Sequence, residues 1–425
     1  MTLTAPTAGT SRDLEAPQRP RRGLGPVGRT VPLLGPAFIA AIAYVDPGNF
    51  ATNVAGGAGY GYRLLWVIVA ANLMAMLIQC LTAKLGLATG RSLAELCREH
   101  LPRPVTWGLW GQAEAVAIAT DLAEVVGGAI ALNLLFGVPL PVGGLLTAAV
   151  AFALLAAQTR GFRPFEIVIT GLLLVIAGGF AYTLLVSGAD PQGVAAGMVP
   201  GFAGTDSVLL ATGILGATVM PHVIYVHSAL TSRRYPAGPT GAPDRRLLRV
   251  QRIDVVIAMG AAGLVNAAML IVAAQLYGSG PEGAPSLDDV HSALGTVFGG
   301  GAALAFALAL LASGFAASSV GTYAGQVVMD GFLRRRIPLT LRRALTLAPA
   351  LVILLFGVDP TAALVWSQVV LSFGIPFALV PLIWFTSRRS IMRGYVNRPV
   401  TTVMASVVAL LIIGLNGYLL VDLAL

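Results

Sequence analysis

The sequence has few charged residues and few cysteines, and it lacks any nucleotide-binding motif. Only 11% of its 425 residues are charged, whereas an ordinary soluble domain has about 25%. The two cysteines, Cys80 and Cys97, provide no disulfide framework. There is no Walker A sequence and no polar segment long enough for an ATPase domain. These absences argue against a soluble enzyme and against an ATP-driven pump.

Long apolar runs account for much of the chain, which is 56% hydrophobic with a mean hydropathy of +0.81. Runs of this length predict an all-α polytopic membrane protein. We predict eleven transmembrane helices, which lie near residues 32–56, 64–87, 106–134, 141–158, 165–187, 206–231, 254–278, 301–329, 341–357, 361–386 and 401–423. Residues 1–31 lack the apolar segment of a signal peptide, so we expect a disordered cytoplasmic tail before a single transmembrane domain at 32–423.

The positive residues lie in alternate connections between the predicted spans. The N-terminal tail and every second connection contain arginines, whereas the connections between them contain only Arg63. Cytoplasmic segments carry the excess of Lys and Arg, so this pattern predicts a cytoplasmic N-terminus and an external C-terminus. The net charge of +8 is thus explained by membrane topology. We expect the lipid bilayer, and no nucleic acid, as a partner.

Two predicted spans are interrupted by proline in similar sequences. Span 1 reads AYVDP at 43–47, and span 6 reads ATVMP at 217–221. Span 6 follows span 1 by five spans, an odd number, so the second half enters the membrane in the opposite orientation. Proline removes a backbone donor, and both helices are expected to unwind near the bilayer midplane. Ordinary kinks are one explanation, but paired broken helices are typical of a transporter's substrate site.

The first interruption places a carboxylate within an apolar span. An ionised Asp46 costs at least about 2.5 kcal/mol there, and a bound cation would compensate it. Asn49 follows three residues later, and Met220 matches the position of Asp46 in span 6. Thioethers prefer transition metals, so the pattern favours a divalent transition metal as cargo, although a lone membrane methionine is usually a packing residue. His222, just past the second break, is expected to tune Asp46 or to gate the site.

Span 3 contains three acidic residues near one helical stripe, Glu114, Asp121 and Glu124. Acids within a membrane mark proton relays or ion pathways, and they need positive partners. The nearest candidates in the sequence are Arg342 and Arg343, at the inner end of span 9. A structural ion-pair network is the alternative explanation for these acids.

Four motifs in this order resemble the Nramp family of proton-coupled divalent metal transporters, in particular its bacterial manganese branch. They are DPGN at 46–49, ATDLAE at 119–124, MPH at 220–222 and GTYAGQVVMDGF at 321–332. The similarity extends over residues 33–423. DPGN alone would be weak support for this resemblance, but four motifs in order on the expected spans are specific to the family.

The resemblance implies a LeuT-like fold that works by alternating access. Two inverted five-helix repeats are expected near 32–187 and 206–386, followed by an extra helix at 401–423. The implied metal ligands are Asp46, Asn49, Met220, the backbone carbonyls of Ala43 and Ala217, and Gln368 of span 10. The expected proton pathway includes Asp46, His222, Glu114, Asp121, Glu124, Arg342 and Arg343.

The predicted function is secondary active import of Mn2+, Fe2+ and similar ions with protons. We expect no enzymatic activity and no permanently bound cofactor, in a protein that works as a monomer in a bacterial inner membrane. One alternative is a sodium-coupled amino-acid symporter of the same fold, although Asp46 would repel a substrate carboxylate. Another is a membrane metalloenzyme using Asp46 and His222, although the chain has no same-face helical ligand pair.

Overall fold

The computed structural model describes residues 35–158, 162–235, 245–278, 285–334 and 339–424, and these residues form helices and no strands. The predicted tail at 1–31 lies outside these ranges. The helices are α1 (Pro36–Ala43), α2 (Pro47–Tyr60), α3 (Leu65–Thr89), α4 (Leu93–His100), α5 (Arg103–Phe136), α6 (Leu140–Gln158), α7 (Phe162–Ser187), α8 (Pro191–Gly197), α9 (Thr205–Thr218), α10 (Pro221–Arg234), α11 (Arg245–Tyr277), α12 (Leu287–Phe298), α13 (Gly300–Leu333), α14 (Leu339–Leu355), α15 (Pro360–Thr386), α16 (Arg389–Met392) and α17 (Pro399–Ala424).

Eight helical stretches in the described part of the chain are long and apolar enough to cross a membrane. Every predicted span overlaps a helix, but the boundaries differ in two ways. The 3₁₀ turn Gly61–Leu64 joins α2 to α3, so one continuous stretch runs over Pro47–Thr89. The apolar parts of α6 and α14, Leu140–Leu154 and Ala344–Leu355, are shorter than the other stretches.

The stretch formed by α9 and α10 is the most deeply buried of the apolar stretches. It packs with α2, α3 and α15, while α5 and α13 pack tightly against each other beside it. Helices α7 and α17 are peripheral and expose apolar side chains such as Leu174 and Leu410. Because these outer helices expose apolar side chains, their surface suits contact with lipid.

Small residues allow the helices around the first break to approach closely. A Cβ on Gly127 of α5 would lie 2.0 Å from the Pro47 side chain, and a Cβ on Gly314 of α13 would lie 2.9 Å from the Gly128 Cα. Close backbone approach of this kind is how helices associate without a hydrophobic driving force between them. The close contact at Gly127 places α5 directly against the start of α2.

The connections contain short helices that the analysis of apolar runs did not predict. Both α4 and α12 begin with a capping box, formed by Ser92 with Glu95 and by Ser286 with Asp289. These pairs are recognisable in the sequence, because a Ser followed three residues later by an acid satisfies two helix-terminal donors.

The N-terminus of α1 is attached to α11 by a buried carboxylate. Asp254 accepts hydrogen bonds from the backbone N–H of Gly35, at 3.1 Å, and of Ala37, at 3.0 Å. The ion pair between Arg234 of α10 and Glu166 of α7 lies beside it, with the Glu166 carboxylate against Gly35. A carboxylate is favourable at a helix N-terminus, so this contact holds the short α1 in place.

Candidate functional site at two helix breaks

Residues 44–46 separate α1 from α2 and leave backbone carbonyls without intrahelical partners. Polar side chains from two other helices satisfy them. The Tyr44 carbonyl accepts a hydrogen bond from Asn266 Nδ2 at 2.8 Å, and the Val45 carbonyl accepts one from Ser313 Oγ at 2.6 Å. Buried backbone acceptors need such partners, so α11 and α13 stabilise the non-helical segment.

Asp46 caps the N-terminus of α2 through only one of its carboxylate oxygens. Its Oδ1 accepts hydrogen bonds from the backbone N–H and from Nδ2 of Asn49, both at 2.8 Å. Its Oδ2 has no hydrogen-bond partner among the described residues, although the side chain is only 1% exposed. A buried carboxylate oxygen without a partner is costly unless a cation or a proton occupies that side.

The second break lies between α9 and α10 and consists of Val219 and Met220. Met220 is fully buried and extended, with φ −72° and ψ 123°, as expected for a residue before proline. The preceding Thr218 is also buried, and its hydroxyl has no partner within the described ranges. The break therefore places a thioether on a non-helical segment, and the last residue of α9 adds a buried hydroxyl that has no partner among the described residues.

A hydrogen bond joins the two breaks directly. Asn49 Nδ2 donates to the Ala217 carbonyl at 3.1 Å as well as to Asp46. The Asn49 Oδ1 has no partner in the part of the chain that the structure describes. Ala43 and Ala217 are themselves buried where α1 and α9 end. The structure thus brings most of the predicted ligands to one place.

Gln368 of α15 packs against glycines next to both breaks. A Cβ on Gly48 would lie 1.8 Å from Gln368 Nε2, and a Cβ on Gly216 would lie 2.0 Å from the Gln368 carbonyl oxygen. Nε2 donates to Ser367 Oγ at 3.1 Å, while the buried Oε1 has no partner among the described side chains. Only glycine at these two positions allows α15 to approach this closely.

Replacing Gly48 with Ala is expected to displace Gln368 and to lower the affinity for metal by about 10-fold to 100-fold, the usual cost of disturbing a ligand's surroundings. The measurement is the concentration dependence of Mn2+ uptake in proteoliposomes. Gly59→Ala is the matched control, because it lies on the same helix with nothing within 4 Å of the added Cβ. Equal effects of the two substitutions would contradict this placement of Gln368.

Two histidines of α10 have different surroundings. His222 Nδ1 lies 3.3 Å from Thr120 Oγ1 on α5, and its buried Nε2 has no partner in the described part of the structure. His227 Nδ1 lies 2.7 Å from Gln79 Oε1, and Gln79 Nε2 donates to the Tyr44 hydroxyl at 2.6 Å. His227 therefore links α10 to the first break, whereas His222 faces the acidic helix α5.

The three predicted acids all lie on α5. Asp121 and Glu124 are buried, and Glu114 is partly buried. The Glu124 carboxylate packs against α13, 2.6 Å from where a Cβ on Gly321 would lie. The side chains of Arg342 and Arg343 lie outside the described residues, so their pairing with these acids stays a prediction.

Within the described residues, no group of three or more His, Cys, Asp or Glu side chains is placed to hold a metal ion. The polar groups that the sequence predicts as ligands at the breaks are instead a carboxylate, two amide oxygens, a thioether and backbone carbonyls. This mixed, mostly neutral set differs from the thiolate and imidazole sites that hold structural zinc. It suits an ion that is bound and then released.

The sequence model of the family described as natural resistance-associated macrophage protein-like, or Nramp, matches residues 37–422. The chain belongs to the Nramp family. Its relatives include the divalent metal cation transporter MntH of Deinococcus radiodurans, which is 52% identical over 94% of this chain and 92% of that protein. MntH of Mycobacterium tuberculosis is 54% identical over 91% of each chain. The family resemblance of the four motifs is thereby confirmed.

Solved structures also resemble this Nramp protein. The Eremococcus coleocola manganese transporter, in complex with an aromatic bis-isothiourea compound, superposes with a TM-score of 0.81 at 30% identity, over 96% of this chain and 89% of that chain. Mhp1, a nucleobase-cation-symport-1 family transporter, matches with a TM-score of 0.57 at 16% identity, over 91% and 92%. The second match concerns the fold alone, and it supports the predicted LeuT-like architecture.

Several polar residues around the breaks of this Nramp protein were missed by the sequence analysis. Asn266 and Ser313 donate hydrogen bonds to the freed carbonyls of the first break, and Asn53 Nδ2 donates to Asn266 Oδ1 at 2.9 Å. Thr218 lies two residues before Met220. All of them are polar residues within apolar spans, which is a signal the sequence does contain. Their partners are more than 200 residues away in three of these contacts, so only the fold identifies them.

Proposed function

We propose that this protein is a secondary active transporter that imports Mn2+, Fe2+ and similar divalent transition-metal ions together with protons. Its family, and relatives named as divalent metal cation transporters, support transport and not catalysis. The observation that carries the proposal is the buried Oδ2 of Asp46, which has no partner among the described residues and lies beside the contact between the two breaks. Such an oxygen is suited to a dehydrated cation.

The proposed metal site combines hard and soft donors from three helical segments. The donors are Asp46, Asn49 and Gln368, the Met220 sulfur, and the carbonyls of Ala43 and Ala217. The available oxygens of Asn49 and Gln368 support this assignment, since both are buried without partners among the described residues. Oxygen ligands alone would suit Mg2+ and Ca2+, and the thioether shifts the preference toward transition metals. The metal is the cargo, and no resident cofactor is required.

We propose that alternating access proceeds by movement of the helices next to the two breaks. The eleven spans would form two inverted repeats near 32–187 and 206–386, with the extra helix at 401–423. The proposed orientation has the N-terminus in the cytoplasm and the C-terminus outside a bacterial inner membrane, with the monomer as the working unit. The alternation of arginines between connections supports this orientation.

The proposed proton pathway begins at Asp46 and continues along α5. It includes His222, Glu114, Asp121, Glu124, Arg342 and Arg343. The position of His222 supports it, because this residue follows the second break and its Nδ1 approaches Thr120 of α5, the residue before Asp121. A carboxylate that binds either a cation or a proton can couple the two movements.

Uptake by purified protein in proteoliposomes tests the proposal. With an inward proton gradient, we expect Mn2+ uptake with internal acidification and no Ca2+ uptake. Dissipating the proton gradient with an uncoupler should lower the rate of Mn2+ uptake. The absence of Mn2+ uptake, combined with sodium-dependent uptake of an amino acid, would instead establish the alternative symporter of the same fold.

A further inference from the structure

A large groove lies away from the two breaks, at the end of the molecule where α3 finishes and α11 and α17 begin. Its volume is about 1020 Å³, and its walls come from α3, α11 and the segment from α16 to α17. Among its described lining residues, six are basic, namely Lys84, Arg245, Arg249, Arg252, Arg393 and Arg398, and none is acidic. The proposed transport mechanism gives this groove no role.

Among the described residues, no carboxylate forms an ion pair with the basic residues of the groove. None of the six forms an ion pair with another described residue, whereas Arg91, Arg233 and Arg234 elsewhere in the protein are paired with carboxylates. Lys84 Nζ donates to Asn397 Oδ1, and this contact orients a cation without cancelling its charge. Six like charges around one cavity repel each other, so the site favours an anion.

The helices that line the groove also expose apolar side chains further along their length. Leu77 of α3 lines the groove, and Leu73, about one turn further along α3, is 60% exposed. Helix α11 exposes Ile257, and α17 exposes Val403 and Met404, all beyond the basic residues. An apolar surface of this kind within the membrane is covered by acyl chains. The cations and the apolar surface therefore match the two parts of one phospholipid.

We propose that this groove binds an anionic phospholipid, with its phosphodiester among the six basic residues and its acyl chains along α3, α11 and α17. Basic pockets between transmembrane helices on the cytoplasmic side are suited to such headgroups. A free phosphate would use the cations but not the adjoining apolar surface. A zwitterionic lipid would use the apolar surface but would leave the positive charges uncompensated.

Native mass spectrometry of the full-length protein in detergent tests the proposal through lipid dissociation constants. The probes are dioleoyl phosphatidylglycerol, dioleoyl phosphatidylcholine and inorganic phosphate. The variant Arg249→Gln/Arg398→Gln removes one charge from the α11 wall of the groove and one from the wall between α16 and α17. We expect it to bind phosphatidylglycerol about 30-fold more weakly, since each basic residue near an anionic surface contributes about fivefold.

The matched control is Arg103→Gln/Arg389→Gln, which removes the same charge from exposed positions outside the groove and should leave binding unchanged. Arg249→Lys/Arg398→Lys should retain binding, which would show that the two positions tolerate substitution.

The unmodified protein should bind phosphatidylglycerol at least about tenfold more tightly than phosphatidylcholine. Equal binding of the two lipids, or equal losses in both glutamine variants, would overturn the proposal. Phosphate binding as tight as that of phosphatidylglycerol would also overturn it, in favour of a soluble anion.

Discussion

Asp46→Asn is expected to abolish metal uptake while leaving the fold intact. Asn still accepts the hydrogen bond from the Asn49 backbone N–H and is as good a helix N-cap as Asp. The substitution removes the charge whose Oδ2 has no partner within the described ranges. Burying a charge at mid-membrane costs at least about 2.5 kcal/mol, and the bound cation offsets this cost. Without the charge, metal affinity should therefore fall by about 70-fold or more.

The chain supplies matched controls for this substitution. Asp190 and Asp359 also precede a proline and cap a helix, but both are exposed and accept hydrogen bonds from backbone N–H groups. Asp190→Asn and Asp359→Asn should therefore leave Mn2+ uptake near its original rate. Uptake rates in proteoliposomes and thermal unfolding in detergent give the comparison. Robust uptake by the Asp46 variant at low metal concentration would show that Asp46 is not a metal ligand.

Met220→Leu is expected to change which ions are transported more than it changes stability. Leucine keeps the buried volume of methionine at a cost below about 1.5 kcal/mol, but it removes the sulfur. The remaining oxygen donors suit Ca2+ as well as Mn2+. The ratio of Mn2+ to Ca2+ uptake should fall by about tenfold, which corresponds to 1.4 kcal/mol of selectivity.

Met259→Leu is the control for the methionine substitution. Met259 is also fully buried, but it lies within α11 and not at a break. Uptake of both ions by this variant should match that of the original protein, and competition between 54Mn2+ and unlabelled Ca2+ provides the measurement. If Met220→Leu excludes Ca2+ as strongly as the original protein does, Met220 is a packing residue and the soft-ligand argument is wrong.

The positions of the helix breaks were predictable because proline acts locally. Pro47 and Pro221 lack a backbone donor, and the structure begins a new helix at each of them. The donor types at the breaks were predictable for the same reason, since Asp46 and Met220 directly precede these prolines. Gln368 was different. Only the family resemblance indicated it, because a single membrane glutamine is usually an interhelical hydrogen-bond partner.

The boundaries of the helices were less predictable than their existence. The analysis of apolar runs separated spans 1 and 2, whereas a 3₁₀ turn at Gly61–Leu64 joins their helices without a polar interruption. It also missed α4 and α12, because these short helices depend on capping boxes and not on length or hydropathy.

The sequence by itself determined that the chain is a helical membrane protein, that helices begin at Pro47 and Pro221, and which polar and sulfur-containing residues precede these prolines. Each of these follows from the apolar content of the chain or from a proline and the residues directly before it. Only the tertiary structure decided which buried polar atoms have partners. The Tyr44 carbonyl is satisfied by Asn266, while Asp46 Oδ2 is left without a partner in the described structure.

The basic groove is a second feature that only the tertiary structure decided. In the sequence its basic residues are indistinguishable from those that orient the protein, because they lie in three separate segments at 84, 245–252 and 393–398. Folding brings these segments to one cavity, whose described lining contains no acidic residue. Composition sets how many charges a chain carries, but the packing of distant segments decides which charges become neighbours and which atoms remain free to bind a ligand.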